Sequence, residues 1–429
     1  MENKPAIPSE ARGFWMVFRA LRSRNFRLFY AGQNISLIGT WMQNIAIGWM
    51  VYRMTNSAAM LGVVGFTSQV PSLVITPFAG VLADRWDKYR VIVICQVLAM
   101  IQAFAIAFLT LSGRIAVWHI AVLSMTLGVI SAFEIPARHA FVVQMVDRKE
   151  DLGNAIALNS MMFNAARLIG PTIAGFLIAL WGEGVCFMVN AVSYIAVIWG
   201  LALMRLPPHA RPGYAARPLQ ALKEGVKYTF GSAPRRSILL LVGLMSLIAM
   251  SQSVLMPVFA RDILGGGAHT LGFLAGAIGL GALVGAGYLA TWKNPVRMLN
   301  IIPFAVGIFG AALILFSFSR QLWISIALLL FVGIGFMGHM VVSNTVLQSI
   351  TEDSKRGRVM SFYSMAFMGM ATFGTLLGGG IASRIGAPHT VLGGGILCLC
   401  AAVIFSRQLP ELKKHVRVIR QLLDSPLGI

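Results

Sequence analysis

Long apolar stretches separated by short polar segments occupy almost the whole chain. Each stretch reaches the length of about 20 residues at which an α-helix crosses the hydrocarbon core of a bilayer. The pattern predicts twelve membrane-spanning helices, at residues 28–52, 59–82, 91–111, 117–143, 154–181, 185–206, 237–262, 270–291, 298–317, 322–349, 358–384 and 389–408. With 57% hydrophobic and 12% charged residues, the chain has too little polar surface for a soluble domain. We therefore predict an all-α membrane protein.

The positions of the cations predict how the chain crosses the membrane. The formal net charge is +20, and lysine and arginine concentrate in the N-terminal segment, in alternate loops and in the C-terminal tail. Because basic loops stay on the inner side, we expect both termini and the central loop in the cytoplasm of a bacterial inner membrane. Topology explains the charge, so no nucleic-acid partner is expected.

Five parts follow from these spans. They are a cytoplasmic basic amphipathic segment at 1–27, a six-helix bundle at 28–206, a cytoplasmic central loop at 207–236, a second six-helix bundle at 237–408 and a cytoplasmic basic tail at 409–429. The first 25 residues lack an apolar core long enough for a signal peptide, and residues 15–30 are predicted to form a basic amphipathic helix on the inner leaflet. The four cysteines fall inside predicted spans, where packing is expected rather than a disulfide or a metal site.

The two bundles are related in sequence. A shift of 204 residues places Gly170 on Gly374 and Gly175 on Gly379, and a shift of 210 residues places Gly62 on Gly272. Near-constant offsets indicate duplication of a six-helix unit. Parallel repeats of this kind predict a transporter whose substrate site lies between the halves near the bilayer midplane.

The stretch GVLADRWDKYR, between the second and third spans, is a short charged turn. It resembles the loop 2-3 signature of the major facilitator superfamily of transporters, with an acid in place of the usual second glycine. The resemblance implies a gating motif at Gly80, Asp84, Arg85, Lys88 and Arg90.

The fifth span contains ARLIGPTIAG, which resembles the antiporter signature of major facilitator exporters at Gly170, Pro171 and Gly175. Proline removes a backbone donor and bends a helix, and small residues permit close packing, so we predict a helix-bend motif here. Longer segments resemble the bacterial secretion-effector branch of the superfamily, which includes enterobactin-exporter-like proteins. That resemblance implies the major facilitator fold, with two pseudo-symmetric six-helix bundles, and an exporter.

Ionisable residues inside the spans are functional candidates because burying a charge in a bilayer is costly. We predict Glu134 as the proton-coupling group, with His339 as its possible partner across the two halves. Alternatively, Glu134 pairs with Arg138 one turn away as a structural tie. Arg167 either binds an anionic substrate or ties to Glu134, and the sequence leaves both alternatives open.

Uncharged polar residues form stripes on the first, fourth and seventh spans. Together with nearby methionine and phenylalanine, they predict a roomy amphipathic cavity. The candidate cavity residues are Gln33, Thr40, Gln43, Asn44, Ser131, Arg138, Asn164, Arg167 and Gln252.

The sequence contains no GxxxxGK[ST] loop, no HExxH and no serine nucleophile elbow with a plausible soluble site, so neither ATP-driven transport nor hydrolysis has support. We expect no enzymatic activity, no metal and no cofactor besides a proton gradient. The predicted function is secondary-active export of a small amphipathic compound, siderophore-like or drug-like, by a monomer that alternates access in the lipid bilayer. The alternatives are a lipid or metabolite permease of the same fold, or a non-transporting sensor or assembly factor.

Overall fold

A computed structural model describes residues 18–83, 86–205, 226–289 and 295–424. Twelve long helices follow the predicted spans, with most ends shifted by a few residues, an earlier end for α7 and a long extension of α12: α1 (Arg24–Thr55), α2 (Ala58–Ala83), α3 (Lys88–Leu111), α4 (Val117–Met145), α5 (Leu152–Trp181), α6 (Glu183–Ala202), α7 (Ala233–Val254), α8 (Ala268–Leu289), α9 (Ile301–Phe318), α10 (Leu322–Ser349), α11 (Asp353–Ile385) and α12 (Ala387–Asp424). Within the described ranges there is no strand. The all-α fold is confirmed.

Eleven helices in the described part of the chain are long and apolar enough to cross a membrane, counting α7 with its continuation to Ile263. The exception is α1, which has 32 residues but carries the polar stripe of the first span. The molecule is therefore a multi-pass membrane protein.

The helices pack as two bundles. In the first half, α1 packs on α5 and α6, and α4 packs on α2 and α3; in the second half, α10 packs on α8 and α9, and α11 packs on α7. Two long contacts join the halves, α2 against α11 and α5 against α8. The halves therefore meet through two helix pairs.

We call these two contacts, α2 against α11 and α5 against α8, the crossings. Glycine makes both of them possible. A Cβ on Gly175 would lie 3.0 Å from the Cα of Gly272, and a Cβ on Gly379 would lie 2.7 Å from the Cα of Gly62. Any side chain at these positions would push the backbones apart. Because the internal repeat relates Gly175 to Gly379 and Gly62 to Gly272, the two crossings are copies of each other.

Both crossings lie toward the distal end of the molecule, by which we mean the end opposite both chain termini. At this end, Tyr52 donates a hydrogen bond to the carboxylate of Asp262, and Arg261 Nη1 donates to Asn56 Oδ1 at 2.6 Å. Asn56 ends α1 with a φ of 48°, a left-handed conformation that asparagine tolerates well. We call these four residues the distal latch. The latch ties α1 of the first half to the end of α7 in the second.

The expected amphipathic surface helix is wrong for residues 18–27. Arg19–Arg22 form a 3₁₀ turn, and α1 begins at Arg24. Phe26 and Phe29 are buried in the core of the first half, and Arg19 forms an ion pair with Asp151. The aromatic residues pack within the bundle, and the first long helix begins at Arg24 rather than at residue 28.

The boundaries expected at the central loop and the tail also differ. Residues 226–230 are helical and α7 begins at Ala233, while 206–225 lie outside the described residues. The last helix, α12, continues through Pro410 to Asp424, so most of the predicted tail extends a membrane helix.

Candidate functional site

The gating motif is only partly described. Asp84 and Arg85 lie outside the described residues, whereas Gly80, Lys88 and Arg90 lie at the ends of α2 and α3. Asp87, which replaces the signature's second glycine, accepts hydrogen bonds from the backbone N–H groups of Tyr89 and Arg90. This acid is therefore the N-cap of α3. The gating role of the motif stays a prediction.

The motif on α5 packs against helices of both halves. A Cβ on Gly170 would lie 2.6 Å from the Cβ of Trp41 and 3.0 Å from the carbonyl oxygen of Ile38, both on α1. Gly175 forms the crossing with α8, and buried Pro171 lies inside the continuous helix. The predicted close packing is confirmed, whereas the bending role stays a prediction.

Arg167, one turn before this motif, lies where the two halves meet. Its guanidinium carbon is 5.9 Å from the ring centroid of Trp41 in the first half and 5.9 Å from that of Phe336 in the second. Phe163 adds an edge-on contact to Trp41, with ring centroids 5.7 Å apart. Among the described residues, no carboxylate forms an ion pair with Arg167. This cation is held between aromatic rings and has no described anionic partner.

Glu134 forms its ion pair with Arg138 rather than with Arg167. Glu134 Oε1 and Arg138 Nε lie 3.0 Å apart without hydrogen-bond geometry, and the two side chains are 13% and 10% exposed. The ion pair expected in the structural alternative is therefore present, and the coupling role of Glu134 stays a prediction. Arg138 is mostly buried and paired with Glu134 in this structure, so its place in the cavity also stays a prediction.

The part of the polar stripe on α4 around Gly128 packs against α2 and does not line a cavity. Gly128 lies against the carbonyl oxygen of Ser68, and Ser72 Oγ donates to the carbonyl oxygen of Gly128 at 2.9 Å. Ser124 is also buried. Because Gly128 has no side chain, α2 can approach this face. Ser131, nearer to the C-terminal end of α4, remains partly exposed.

Two predicted cavity residues are enclosed within their own halves. Gln43 is fully buried; its Nε2 donates to Gln102 Oε1 at 3.2 Å, and its Oε1 accepts from Asn190 Nδ2 at 2.8 Å. This network joins α1, α3 and α6. Gln252 is buried beside the sulfur of Met256, at 3.4 Å. Both residues face neighbouring side chains in this structure, and their assignment to the cavity stays a prediction.

The remaining polar residues of α1 divide by exposure. Gln33 is buried, and its place in the cavity stays a prediction. Thr40 is partly exposed, and its hydroxyl donates to the Ser36 carbonyl 3.0 Å away. Asn44 is exposed. On α5, Asn164 is partly exposed one turn before Arg167. The candidates that keep exposed surface are therefore Thr40, Asn44, Ser131, Asn164 and Arg167.

His339 is not brought to Glu134. It is fully buried on α10, and its Nδ1 lies 3.2 Å from the hydroxyl of Ser343 on the same helix. Since α10 packs mainly on α8 and α9, this imidazole is enclosed in the second half. The described contacts include none between the two side chains, so their predicted approach is wrong in this conformation.

Sequence reasoning also missed residues. Phe336 as the second neighbour of Arg167 and the distal latch were both unexpected. The latch had no signal, because each partner is an isolated polar residue at a helix end. The two crossings did have a signal in the sequence, since the two repeat shifts already related Gly62 to Gly272 and Gly175 to Gly379.

Comparisons with known proteins place the chain among transporters. A family profile described as "Transmembrane secretion effector" matches residues 16–427. The staphyloferrin A transporter of Staphylococcus aureus is 26% identical over 384 residues, covering 88% of this chain and 95% of that protein. The enterobactin exporter EntS of Escherichia coli is 26% identical over 413 residues, covering 93% and 95%. A bacterial homologue of the human lysosomal transporter Spinster has the same fold, with a TM-score of 0.66 at 14% identity over 95% of this chain and 97% of the other.

Proposed function

The chain belongs to the transmembrane secretion effector family of major facilitator transporters, and we propose that it is a proton-driven exporter of a small anionic amphipathic compound. It would work by alternating access in a bacterial inner membrane, with both termini in the cytoplasm. The observation that carries this proposal is Arg167, held between an aromatic ring of each half without a described carboxylate partner.

The surroundings of Arg167 favour an anionic, partly apolar substrate. An ionised group inside a membrane protein is costly unless water or an opposite charge compensates it. A carboxylate or catecholate could accept charge-assisted hydrogen bonds from the guanidinium, while the partly exposed Trp41 offers apolar surface beside it. Relatives named as a staphyloferrin A transporter and an enterobactin exporter support a siderophore-like substrate.

The position of Arg167 also suits alternating access. Trp41 belongs to the same half as Arg167, whereas Phe336 belongs to the other half. When the halves rock, Phe336 must separate from Arg167, so the environment of the cation differs between the two states. The distal latch holds the distal end together here, and release of substrate on that side requires the latch to open.

Glu134 remains the proposed proton-coupling group, now through Arg138. Protonation of Glu134 would remove one charge of a mostly buried ion pair and leave the Arg138 cation uncompensated. Breaking a buried pair in this way costs about 3 to 5 kcal/mol, which is enough to shift a two-state equilibrium. Proton binding would thereby be linked to rearrangement of α4.

Everted membrane vesicles with an imposed pH difference test the proposal. We expect uphill uptake of a carboxylate or catecholate siderophore, and loss of that uptake in Arg167→Gln. Arg384→Gln removes an exposed cation at the end of α11 and is the matched control, with uptake expected to be unchanged. Transport of lysolipids instead would favour a lipid permease. Flux of none of the siderophores, drugs and lysolipids would favour a non-transporting sensor.

A further inference from the structure

A cavity lies away from the central interface, between α7 and α12 at the end of the molecule where the chain terminates. This crevice measures about 510 Å³. Its α7 wall is formed by Ala233, Arg236, Ser237, Leu240, Leu241 and Leu244. Its α12 wall includes Ile404, Phe405, Gln408, Glu411, Leu412 and His415. The crevice is open to the outside of the bundle, since Leu240 and Ile404 are 64% and 57% exposed.

The crevice changes from polar to apolar along its length. Arg236, Ser237 and Gln408 lie near the start of α7, where the Ser237 hydroxyl is 3.5 Å from Gln408 Oε1. One and two turns deeper, Leu240 and Leu244 replace the polar residues. A membrane lipid has the same sequence of chemistry, from a polar headgroup at the interface to acyl chains in the hydrocarbon region.

The length of α12 places the polar rim at the membrane surface. The helix has 38 residues, whereas about 20 span the hydrocarbon core. The excess turns stay on the protein, because Leu412 and Val416 are buried against the second half. From this length we infer that Glu411 lies at headgroup depth, on a helix that packs on the protein.

The rim carries one cation and one anion that have no described partners. Arg236 on α7 and Glu411 on α12 are both exposed, and neither forms an ion pair among the described residues. His415 adds a ring nitrogen, Nδ1, which lies 2.9 Å from the Glu411 carbonyl oxygen. A headgroup with a phosphate and an ammonium group matches these two opposite charges across the crevice.

We propose that this crevice binds a phosphatidylethanolamine molecule from the adjoining leaflet. Arg236 would bind the phosphate, the primary ammonium would donate to Glu411, and one acyl chain would lie along Leu240 and Leu244. A primary ammonium has N–H donors for the carboxylate, whereas the quaternary ammonium of phosphatidylcholine has none. The site is thus selective for the headgroup as well as for the lipid class.

Native mass spectrometry of the full chain tests this site. The protein is exchanged into mixed micelles with equal amounts of dioleoyl phosphatidylethanolamine and dioleoyl phosphatidylcholine, and the lipid retained after dilution is counted. We expect wild type to retain phosphatidylethanolamine at least fivefold over phosphatidylcholine. Equal retention of the two lipids would overturn the proposal.

Variants separate the two headgroup contacts. Arg236→Gln should lower retention of both lipids, and Glu411→Gln should remove only the preference for the primary amine. Arg417→Gln, an exposed cation of α12 outside the crevice, is the matched control and should retain lipid as wild type does. Unchanged retention in Arg236→Gln would contradict the phosphate contact.

A variant that fills the crevice, compared with a similar change outside it, separates loss of the lipid site from misfolding of the protein. Leu240→Trp should block the acyl-chain position, while Val403→Trp, also exposed but outside the crevice, should not. Soluble glycerophosphoethanolamine should fail to displace the lipid, because it lacks the chains. Retention unaffected by Leu240→Trp, or displacement of the lipid by the headgroup alone or by a transported compound, would show that the crevice is not a lipid site.

Discussion

The two halves agree in backbone packing and differ in charge. Gly175 meets Gly272 at one crossing, and Gly379 meets Gly62 at the repeat-related other. Three charged positions inside the spans of the first half, by contrast, have no charged counterpart: a shift of 204 residues places Glu134, Arg138 and Arg167 on Gly338, Val342 and Ala371. The glycine contacts between helices therefore occur in both halves, whereas the proposed binding and coupling residues occur only in the first half.

The agreement in packing continues between one and two turns from each crossing. Gly170 lies against Ile38 of α1, and its repeat partner Gly374 lies against Leu247 of α7. Each half therefore contains a close pair of helices that extends to the interface. We infer that these pairs move as units and that rocking occurs at the two crossings.

Removing the Glu134 carboxylate should have the largest effect on proton coupling. Glu134→Gln should abolish uphill export driven by a pH difference, because the side chain can no longer gain or lose a proton, while exchange down the substrate gradient continues. Accumulation in proteoliposomes, with and without the pH gradient, measures the difference. Wild-type accumulation in the variant would place coupling elsewhere.

A double variant distinguishes coupling from structure. Glu134→Gln alone leaves the buried Arg138 cation without its partner, a loss of about 3 to 5 kcal/mol in stability. Adding Arg138→Gln removes that charge and should restore thermal stability without restoring uphill export. If uphill export returns with stability, Glu134 is only a structural partner.

Substitutions at the crossings test the symmetric part of the comparison. Gly379→Ala should open the distal end, since overpacking costs about 1 to 3 kcal/mol, or roughly 5-fold to 150-fold in population. Gly175→Ala should do the same in the other half. Gly380, next to Gly379, and Gly153, at the start of the helix that contains Gly175, have open space around them and are controls for Ala substitution.

Spin-label distances across the distal end provide the readout for the crossings. A shift toward longer distances in both crossing variants, and in neither control, is the expected result. A shift in only one half would show that the crossings are not mechanical copies. Equal effects at crowded and open glycines would show that helix propensity rather than close packing is responsible.

Loss of one latch bond should have the smallest effect. Tyr52→Phe removes the hydrogen bond to Asp262, worth about 1 kcal/mol, and should raise the distal-open population about fivefold. Labels at Ser57→Cys and His269→Cys report the separation. Tyr30→Phe, on the same helix but far from the latch, is the control. No change with Tyr52→Phe would mean that the crossings alone keep the distal end closed.

Much of the fold was predictable because span length and apolarity are local properties. The close helix contacts were also indicated by the sequence, because the glycines that form them occupy matching positions in the two repeats. Polar residues were harder to assign, because a stripe facing water and a stripe satisfied by a neighbouring helix have the same spacing. Gln43 illustrates this, since its amide partners are residues of α3 and α6 that lie far away in the chain.

The charge of Arg167 was visible in the sequence, but its environment was not. Its neighbour Phe336 comes from the other half, so only the packing of the two bundles could reveal that contact. The latch between Tyr52 and Asp262 depends in the same way on two helix ends meeting. Functional geometry between halves is long-range information that periodicity does not contain.

The most direct measurement is the charge selectivity of substrate binding at Arg167. Binding of a carboxylate siderophore and of its neutral methyl ester is titrated against wild type, Arg167→Lys and Arg167→Gln. We predict that wild type prefers the anion by at least about tenfold, since hydrogen bonds to charged groups are worth about 1.5 to 3 kcal/mol. Arg167→Lys should retain part of that preference, and Arg167→Gln should lose it while binding the ester as wild type does. The same anion-to-ester ratio in wild type and Arg167→Gln would contradict a binding role for this cation.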